Sequence, residues 1–410
     1  MEERDNLKPA NKKTSAGLIL TVMLISMMAG AVCMNKVSPV LINIVNDFDL
    51  TTGQSGLLIS IFSLAGIFLS IPMGMLITRY GSFKTGLISL VAIIAGSSMG
   101  AIATSYSILL VSRGIEGIGL LFLATIGPAA VANAFSDEKR GTAMGLLMCY
   151  MSFGQILALN LAPIMASVSS WRSFWWLNAG IGAAGLVLWI FAARNLDSVG
   201  HSSSESESAS EQNAELTESA SGALGAVLKN KAVWLICIPF LAFCIAHFGA
   251  FNYLPTYMVQ VGGISSTAAG SLVSIASLIG IPVGIIGGVI ADKCGSRKKT
   301  LAATLVLLGV VIALFPLFNA SNYIVLVLLY GLVSMAEAGL SFTSITEVVK
   351  SQQGATASAV LNTAQWIGAF MATTIFGMLL SAVGWNASFY CMAGVAVLGG
   401  IVVIFNKALR

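Results

Sequence analysis

Five ionisable side chains stand inside long apolar runs of this 410-residue chain: Lys36, Arg113, Glu116, His247 and Glu337. A charge at the centre of a membrane helix costs roughly 2.5–3.5 kcal/mol on insertion scales, so each must be compensated or used. Lys36 offers three donors and a point charge suited to a carboxylate or similar anion. The same lysine can instead pair permanently with Glu116 or Glu337, or reach out to the membrane interface. Arg113 and Glu116, three residues apart, share one helix face and can pair with each other. Glu337, among Met335, Ala336, Ala338 and Gly339, either takes up a proton or sits in a fixed ion pair. His247 can exchange a proton near neutrality or serve as a hydrogen-bonded packing residue. Asn35, Asn252, Tyr253, Tyr257, Asn362, Gln365 and Trp366 add candidate polar and aromatic contacts.

Enzymatic chemistry finds little support. The chain has no G-x-x-x-x-G-K-[S/T] loop for a nucleotide and no convincing nucleophile–base–acid set. Two histidines and six cysteines without a C-x-x-C pair argue against a metal site, and no cofactor is expected.

The elements that hold these residues follow from composition. Hydrophobic residues make up 57% of the chain and charged ones 9%, against roughly 25% charged in a soluble domain. Since about 20 apolar residues cross a bilayer, the runs predict twelve transmembrane helices at 17–45, 54–78, 84–103, 107–134, 141–168, 173–193, 232–258, 268–291, 300–318, 323–349, 354–382 and 387–406. Pro39 and Pro255 predict a tilted or broken end in the first and seventh runs. The N-terminus is polar and its first apolar run is too long for a cleaved signal peptide.

Basic residues set the orientation. With the N-terminus cytoplasmic, all but Lys36, Arg113 and Arg172 of the 21 fall in cytoplasmic segments. The net charge of +4 therefore follows topology and does not point to nucleic acid. Residues 195–231 are hydrophilic, centred on HSSSESESASEQNAELTESAS, and are expected to be a disordered cytoplasmic linker. They separate a first six-helix bundle, 17–194, from a second, 232–406, with cytoplasmic tails at 1–16 and 407–410.

The halves repeat. Gly56 to Lys84 aligns without a gap on Gly270 to Lys298, 214 residues on, placing Ser60 on Ser274 and Gly66 on Gly280. Gly66/Ser70/Gly74 and Gly280/Gly284/Gly288 are small residues at i, i+4, i+8, a face that lets a neighbouring backbone approach.

On these residues the chain resembles the major facilitator superfamily. Gly288 to Lys298, with Asp292, Lys293, Gly295 and Arg297, is similar to the family's G-x-x-x-D-[R/K]-x-G-x-[R/K] loop. Gly74 to Lys84 is its counterpart, with Arg79 kept and Thr78 in place of the acid. Arg113 to Gly119 resembles R-x-x-[Q/E]-G-x-G, and Lys139-Arg140-Gly141 a family-like entry to the fifth span. Asn35 to Leu50 and Asn252 to Tyr257 resemble the cyanate/nitroimidazole permease-like branch.

The resemblance implies an all-α integral membrane fold of two pseudo-symmetric bundles whose first, fourth, seventh and tenth spans line a central cavity. It implies alternating access by a secondary transporter in the cell inner (cytoplasmic) membrane. The expected cargo is a small organic or inorganic anion, with protons as coupling partner, carried by a monomer in the lipid bilayer. The alternatives are an exporter of amphipathic or cationic drugs and a non-transporting sensor. It further implies that Asp292 faces the start of the fifth span, near Lys139 and Arg140, and Thr78 the start of the eleventh, near Ser351, Gln352 and Gln353. One ionic and one neutral latch are expected.

Overall fold

The computed structural model describes residues 16–135, 137–192, 225–294, 296–334, 336–350 and 353–406. The expected tails, most of the linker, and Ser351 and Gln352 lie outside the described residues.

The described residues are helical almost throughout, and eleven stretches are long and apolar enough to span a membrane. One of them holds two spans. The helix Gly354–Ile404 contains Gly384 at φ 76°, ψ −177°, outside helical geometry, so α11 (354–383) ends there and α12 (385–404) begins. Only glycine takes that φ at no steric cost. The other spans are α1 (Ala16–Asn35), α2 (Thr52–Ser60 and Leu64–Tyr80), α3 (Ser82–Ala101), α4 (Tyr106–Ala134) and α5 (Asp137–Met148 and Tyr150–Val168). They continue with α6 (Trp171–Ala192), α7 (Lys231–Gln260), α8 (Ser266–Cys294), α9 (Arg297–Leu314) and α10 (Tyr323–Ser334 and Ala336–Glu347). Twelve spans in two sets of six give the all-α fold expected from hydropathy.

Local chemistry fixes the ends. Thr51 and Gln54 form a reciprocal capping box at the start of α2, and the side chains of Ser105, Asn230 and Ser296 cap α4, α7 and α9. The two prolines behave differently. Pro39 lies in a 3-10 turn, Ser38–Val40, that separates α1 from a short helix, Leu41–Phe48. Pro255 stays inside a continuous α7, so of the expected tilted or broken end the seventh run does not take the broken form. Neighbouring hydroxyls support such a helix, and the Ser38 hydroxyl donates to the Asn252 carbonyl three residues before Pro255.

The expected disorder does not extend to residue 231. Residues 225–229 are helical and Val227 is fully buried. Ala226-Val227-Leu228 gives this stretch an apolar surface to bury, and Asn230 ties it down through a 3.0 Å bond to the Val348 carbonyl.

α1 packs against α4, α5 and α6 in the first half, and α7 packs against the α11–α12 pair in the second. Across the seam α2 meets α11 and α5 meets α8. The ends of the helices divide the charge between two faces. Lys84, Lys139, Lys229, Lys231, Arg297, Lys299 and Lys350 lie on one, called here the basic face.

Candidate functional site

α1 ends at Asn35 because the proline turn follows, and this leaves Lys36 at the mouth of a polar cluster inside the first half. Lys36 Nζ is 2.5 Å from Glu116 Oε1 and donates to Ser97 Oγ at 3.2 Å. Arg113 Nη1 holds Glu116 Oε2 at 2.6 Å and donates to the Cys33 carbonyl at 2.5 Å. Ser97 donates to the same Glu116 Oε1 at 2.7 Å, and Asn178 Nδ2 donates to Ser97 Oγ at 3.0 Å. Lys36, Arg113, Glu116 and Asn178 have no exposed surface. Two bases thus share one carboxylate, and among the described residues Arg113 Nε and Nη2 have no hydrogen-bond partner. Aromatic faces supply part of the compensation: Lys36 Nζ stands 4.4 Å from the Trp175 ring centroid, and Arg113 Cζ 4.9 Å from that of Phe62.

Next to this cluster, between the halves, lies a cavity of about 30 Å³. Its polar lining includes Asn35, Ser63, Gln155 and Asn252; Phe62, Phe248 and Phe251 supply aromatic walls. Gln155 Nε2 donates to Asn35 Oδ1 at 3.2 Å. Asn35 and Asn252 each turn their amide N–H back to the carbonyl one turn earlier, at 2.8 Å. The volume suits about two waters and no metabolite. The seam is closed on both sides of it. On the face opposite the basic one, Ser60 meets Thr374 at 2.8 Å, and Asn160 bonds Ser274 at 2.8 Å and Ser271 at 2.9 Å. Toward the basic face, Trp366 of α11 packs into the first half against the Leu121 and Phe122 cluster and over Gly66. Among the described residues the cavity has contacts across the seam on both sides of it.

The other expected site residues are more dispersed. Tyr253 stacks on Phe376 at 4.6 Å while its hydroxyl reaches the seam, donating to the Thr373 carbonyl at 3.4 Å beside Gly56, and Tyr257 meets Phe389 in the second half at 5.1 Å. Neither shares the Asn252 face, because adjacent residues on an α-helix diverge by about 100°. His247 is buried among Phe243, Phe251 and Tyr330, with Tyr330 Oη 2.8 Å from its Nδ1. Glu337 is in the second half and 1% exposed. It accepts from Thr304 at 2.5 Å and Ser341 at 3.3 Å, and no ion pair to it exists among the described residues. It is therefore not the partner of Lys36. Asn362 and Gln365 are half-buried on α11. Arg297 pairs with Glu347 at 2.7 Å, and Lys139 is exposed. The side chains of Thr78, Arg140 and Asp292, on which the two expected latches rest, lie outside the described ones, as do those of Arg79 and Lys293.

Sequence reasoning missed Ser97, Asn178, Trp175 and Phe62, which surround the charges. Asn178 was the findable one, as the lone amide in α6. Among the described residues no group of three or more His, Cys, Asp or Glu side chains could hold a metal.

Comparisons with known proteins agree with this architecture. The family model described as Major Facilitator Superfamily matches residues 18–373 and 263–408. An uncharacterised MFS-type transporter, YwfA, of Bacillus subtilis (strain 168) is 25% identical over 374 residues, covering 90% of this chain and 87% of that protein. The hexuronate transporter of Escherichia coli (strain K12) is 22% identical over 405 residues, covering 94% and 92%. A probable sugar efflux transporter of Mannheimia succiniciproducens is 26% identical over 286 residues, covering 68% and 65%.

Proposed function

The chain belongs to the major facilitator superfamily, and from that premise we propose that it is a secondary carrier of a small organic anion working by alternating access. The observation that carries the anion is the Lys36–Arg113–Glu116 cluster: two buried bases share one carboxylate beside the central cavity. A carboxylate entering that region meets surplus donors and charge in a low dielectric. A likeness to a protein named for hexuronate, a sugar carboxylate, supports the same class. So does the looser likeness of Asn35–Leu50 and Asn252–Tyr257 to the cyanate/nitroimidazole permease-like branch.

The bundles 17–194 and 232–406 rock about the cavity, and the basic face is cytoplasmic, as the distribution of Lys and Arg favours. Both termini are then cytoplasmic and the membrane is the inner one. Glu337, a buried carboxyl held only by hydroxyls, is the candidate proton carrier. The aromatic cavity wall favours a second reading, an exporter of amphipathic or cationic drugs. Against it, Glu116 beside the cavity is already bridged by two bases.

The test is a thermal-shift and counterflow comparison on the purified full chain in liposomes, using D-glucuronate, D-glucose and a lipophilic quaternary ammonium dye. Binding stabilises by mass action, so glucuronate should raise the melting temperature and drive counterflow while the others do neither. Stabilisation by the dye or glucose alone overturns the anion reading.

A further inference from the structure

α2 is interrupted where it passes the charged cluster. Thr52–Ser60 gives way to a 3-10 turn, Ile61–Ser63, before the helix resumes at Leu64. The turn contains neither Pro nor Gly, so its sequence does not force the break. A 3-10 turn inside a helix holds its hydrogen bonds in poorer geometry and is often a hinge. Phe62, its central residue, has two neighbours of opposite character. Its ring lies over the Arg113 guanidinium at 4.9 Å and also forms part of the cavity wall. Its backbone is anchored, because Gly117 of α4 comes so close that a Cβ there would collide with the Phe62 carbonyl. The ring is thus the partition between the cavity and a guanidinium whose Nε and Nη2 are bare. The repeat places Ala276 where Phe62 stands, so of the two equivalent places the ring occurs at the one beside Lys36, Arg113 and Glu116.

We propose that Phe62 is a specificity-determining shutter: its ring covers Arg113 when the cavity is empty and swings aside to let an anionic group reach Nε and Nη2. A carboxylate offers charge-assisted, two-point hydrogen bonding in place of the ring face, whereas a neutral solute offers no such exchange. This rests on the anion-carrier reading for its ligand, but the shutter can be tested without one.

The full chain in detergent is treated with phenylglyoxal, an arginine-directed reagent, and the rate at the Arg113 peptide is followed by mass spectrometry. Arg172, whose side chain is 32% exposed, serves as the internal standard. Phe62→Ala should raise the Arg113 rate several-fold relative to Arg172, and Phe62→Leu, which keeps most of the bulk, should raise it less. Phe251→Ala, which opens the cavity wall away from Arg113, should leave it unchanged. D-Glucuronate should suppress the raised rate. Melting temperatures confirm that each variant is folded, and Phe62→Leu keeps the test open if the alanine variant does not fold. An Arg113 rate in folded Phe62 variants equal to the unsubstituted protein, or raised as much by Phe251→Ala, overturns the shutter. A raised rate that glucuronate fails to suppress keeps the ring as the cover of Arg113 but removes the anion reading and, with it, the ring's role in specificity.

Discussion

Ser60 and Ser274 hold equivalent places in the two halves, 214 residues apart, and both bridge the seam. Ser60 meets Thr374 and Ser274 meets Asn160, and these partners are also 214 residues apart. The same relation links a pair of backbone contacts. A Cβ on Gly56 would strike the Thr373 carbonyl, and one on Gly270 the Leu159 carbonyl. The face opposite the basic one is therefore closed by two copies of one device, a glycine contact and a hydroxyl bond per seam. Only glycine permits that approach.

Gly270→Val should hold this seam apart, since the obstacle is a backbone carbonyl that cannot rotate away. The expected result is faster labelling of a single cysteine placed at Ser271, in a background free of native cysteines. About tenfold corresponds to a shift of about 1.4 kcal/mol in the closed-to-open balance. Gly56→Val should do the same at the other seam, and unchanged rates in both would mean that the glycines do not hold this face closed.

The buried charges predict an ordering of stabilities. Glu116→Ala leaves Lys36 and Arg113 facing each other without an anion, a defect worth about 3–5 kcal/mol. Lys36→Gln leaves Arg113 and Glu116 as a matched pair and should cost less. The double variant should be more stable than Glu116→Ala alone, because it removes one of the stranded charges. Melting temperatures in detergent check this, and a Lys36→Gln variant less stable than Glu116→Ala contradicts it.

Spans and halves were legible in the sequence because a membrane helix is defined by how many apolar residues it strings together. The break after α1 was legible from Pro39, but that at Ile61–Ser63 was not, because no residue there demands it. Lys36, Arg113, Glu116 and Glu337 were visible as costly charges. Which acid Lys36 meets was not, since Glu116 and Glu337 differ in the half they occupy, a property of packing. Tyr253 and Tyr257 were grouped with Asn252 by closeness in sequence, and helical rotation separates them. Ser97 and Asn178 escaped notice because neutral polar groups in apolar runs are common and inexpensive.

Among the described residues Glu337 bonds only to hydroxyls, and glutamine has the same shape: its carbonyl oxygen can accept from one hydroxyl while its amide N–H donates to the other. Glu337→Gln should therefore fold with a stability change within about 1 kcal/mol. If the carboxyl carries the coupling proton, the variant loses pH-driven uphill accumulation yet retains downhill exchange of D-glucuronate. Equal loss of both modes assigns Glu337 a structural role.

Outside the membrane, Asp47 receives Arg172 Nη1 at 2.6 Å and Trp171 Nε1 at 2.8 Å, and Arg172 Nη2 reaches the Ala103 carbonyl at 3.2 Å. Burial pushes the carboxyl upward, but the bonds from Trp171 and Arg172 and the guanidinium charge outweigh it and hold the group below its usual range. A lowered folded value means that its contribution is present above the ordinary aspartate range and is lost as pH falls through the lowered one. Between pH 8 and pH 5 this group should add no pH dependence to the melting temperature, because its contribution is present in full throughout that window. Asp47→Asn should lower it slightly in that window, the pair being partly exposed. The gap to the unsubstituted protein should then close at lower pH. A gap that widens on acidification contradicts the assignment.

Trp366 makes the two seams unequal on their way to the basic face. Its indole rests so close to Gly66 that a side chain at 66 would overlap the ring, and its buried Nε1 has no partner among the described residues. The repeat offset puts Ser152 opposite Gly280 at the other seam, where no ring of this size is available. Closure toward the basic face therefore leans on one indole from the second half wedged into the first. Trp366→Ala removes the wedge and should speed labelling of a cysteine at Asn362, one turn nearer the basic face. Gly66→Val should have the same sign, because the displaced atoms belong to a side chain that can swing away. Both are opposite in sense to Gly270→Val, which opens the other face. A Trp366→Ala variant that labels no faster at Asn362, while its melting temperature shows it folded, would mean that the indole is packing and not a gate.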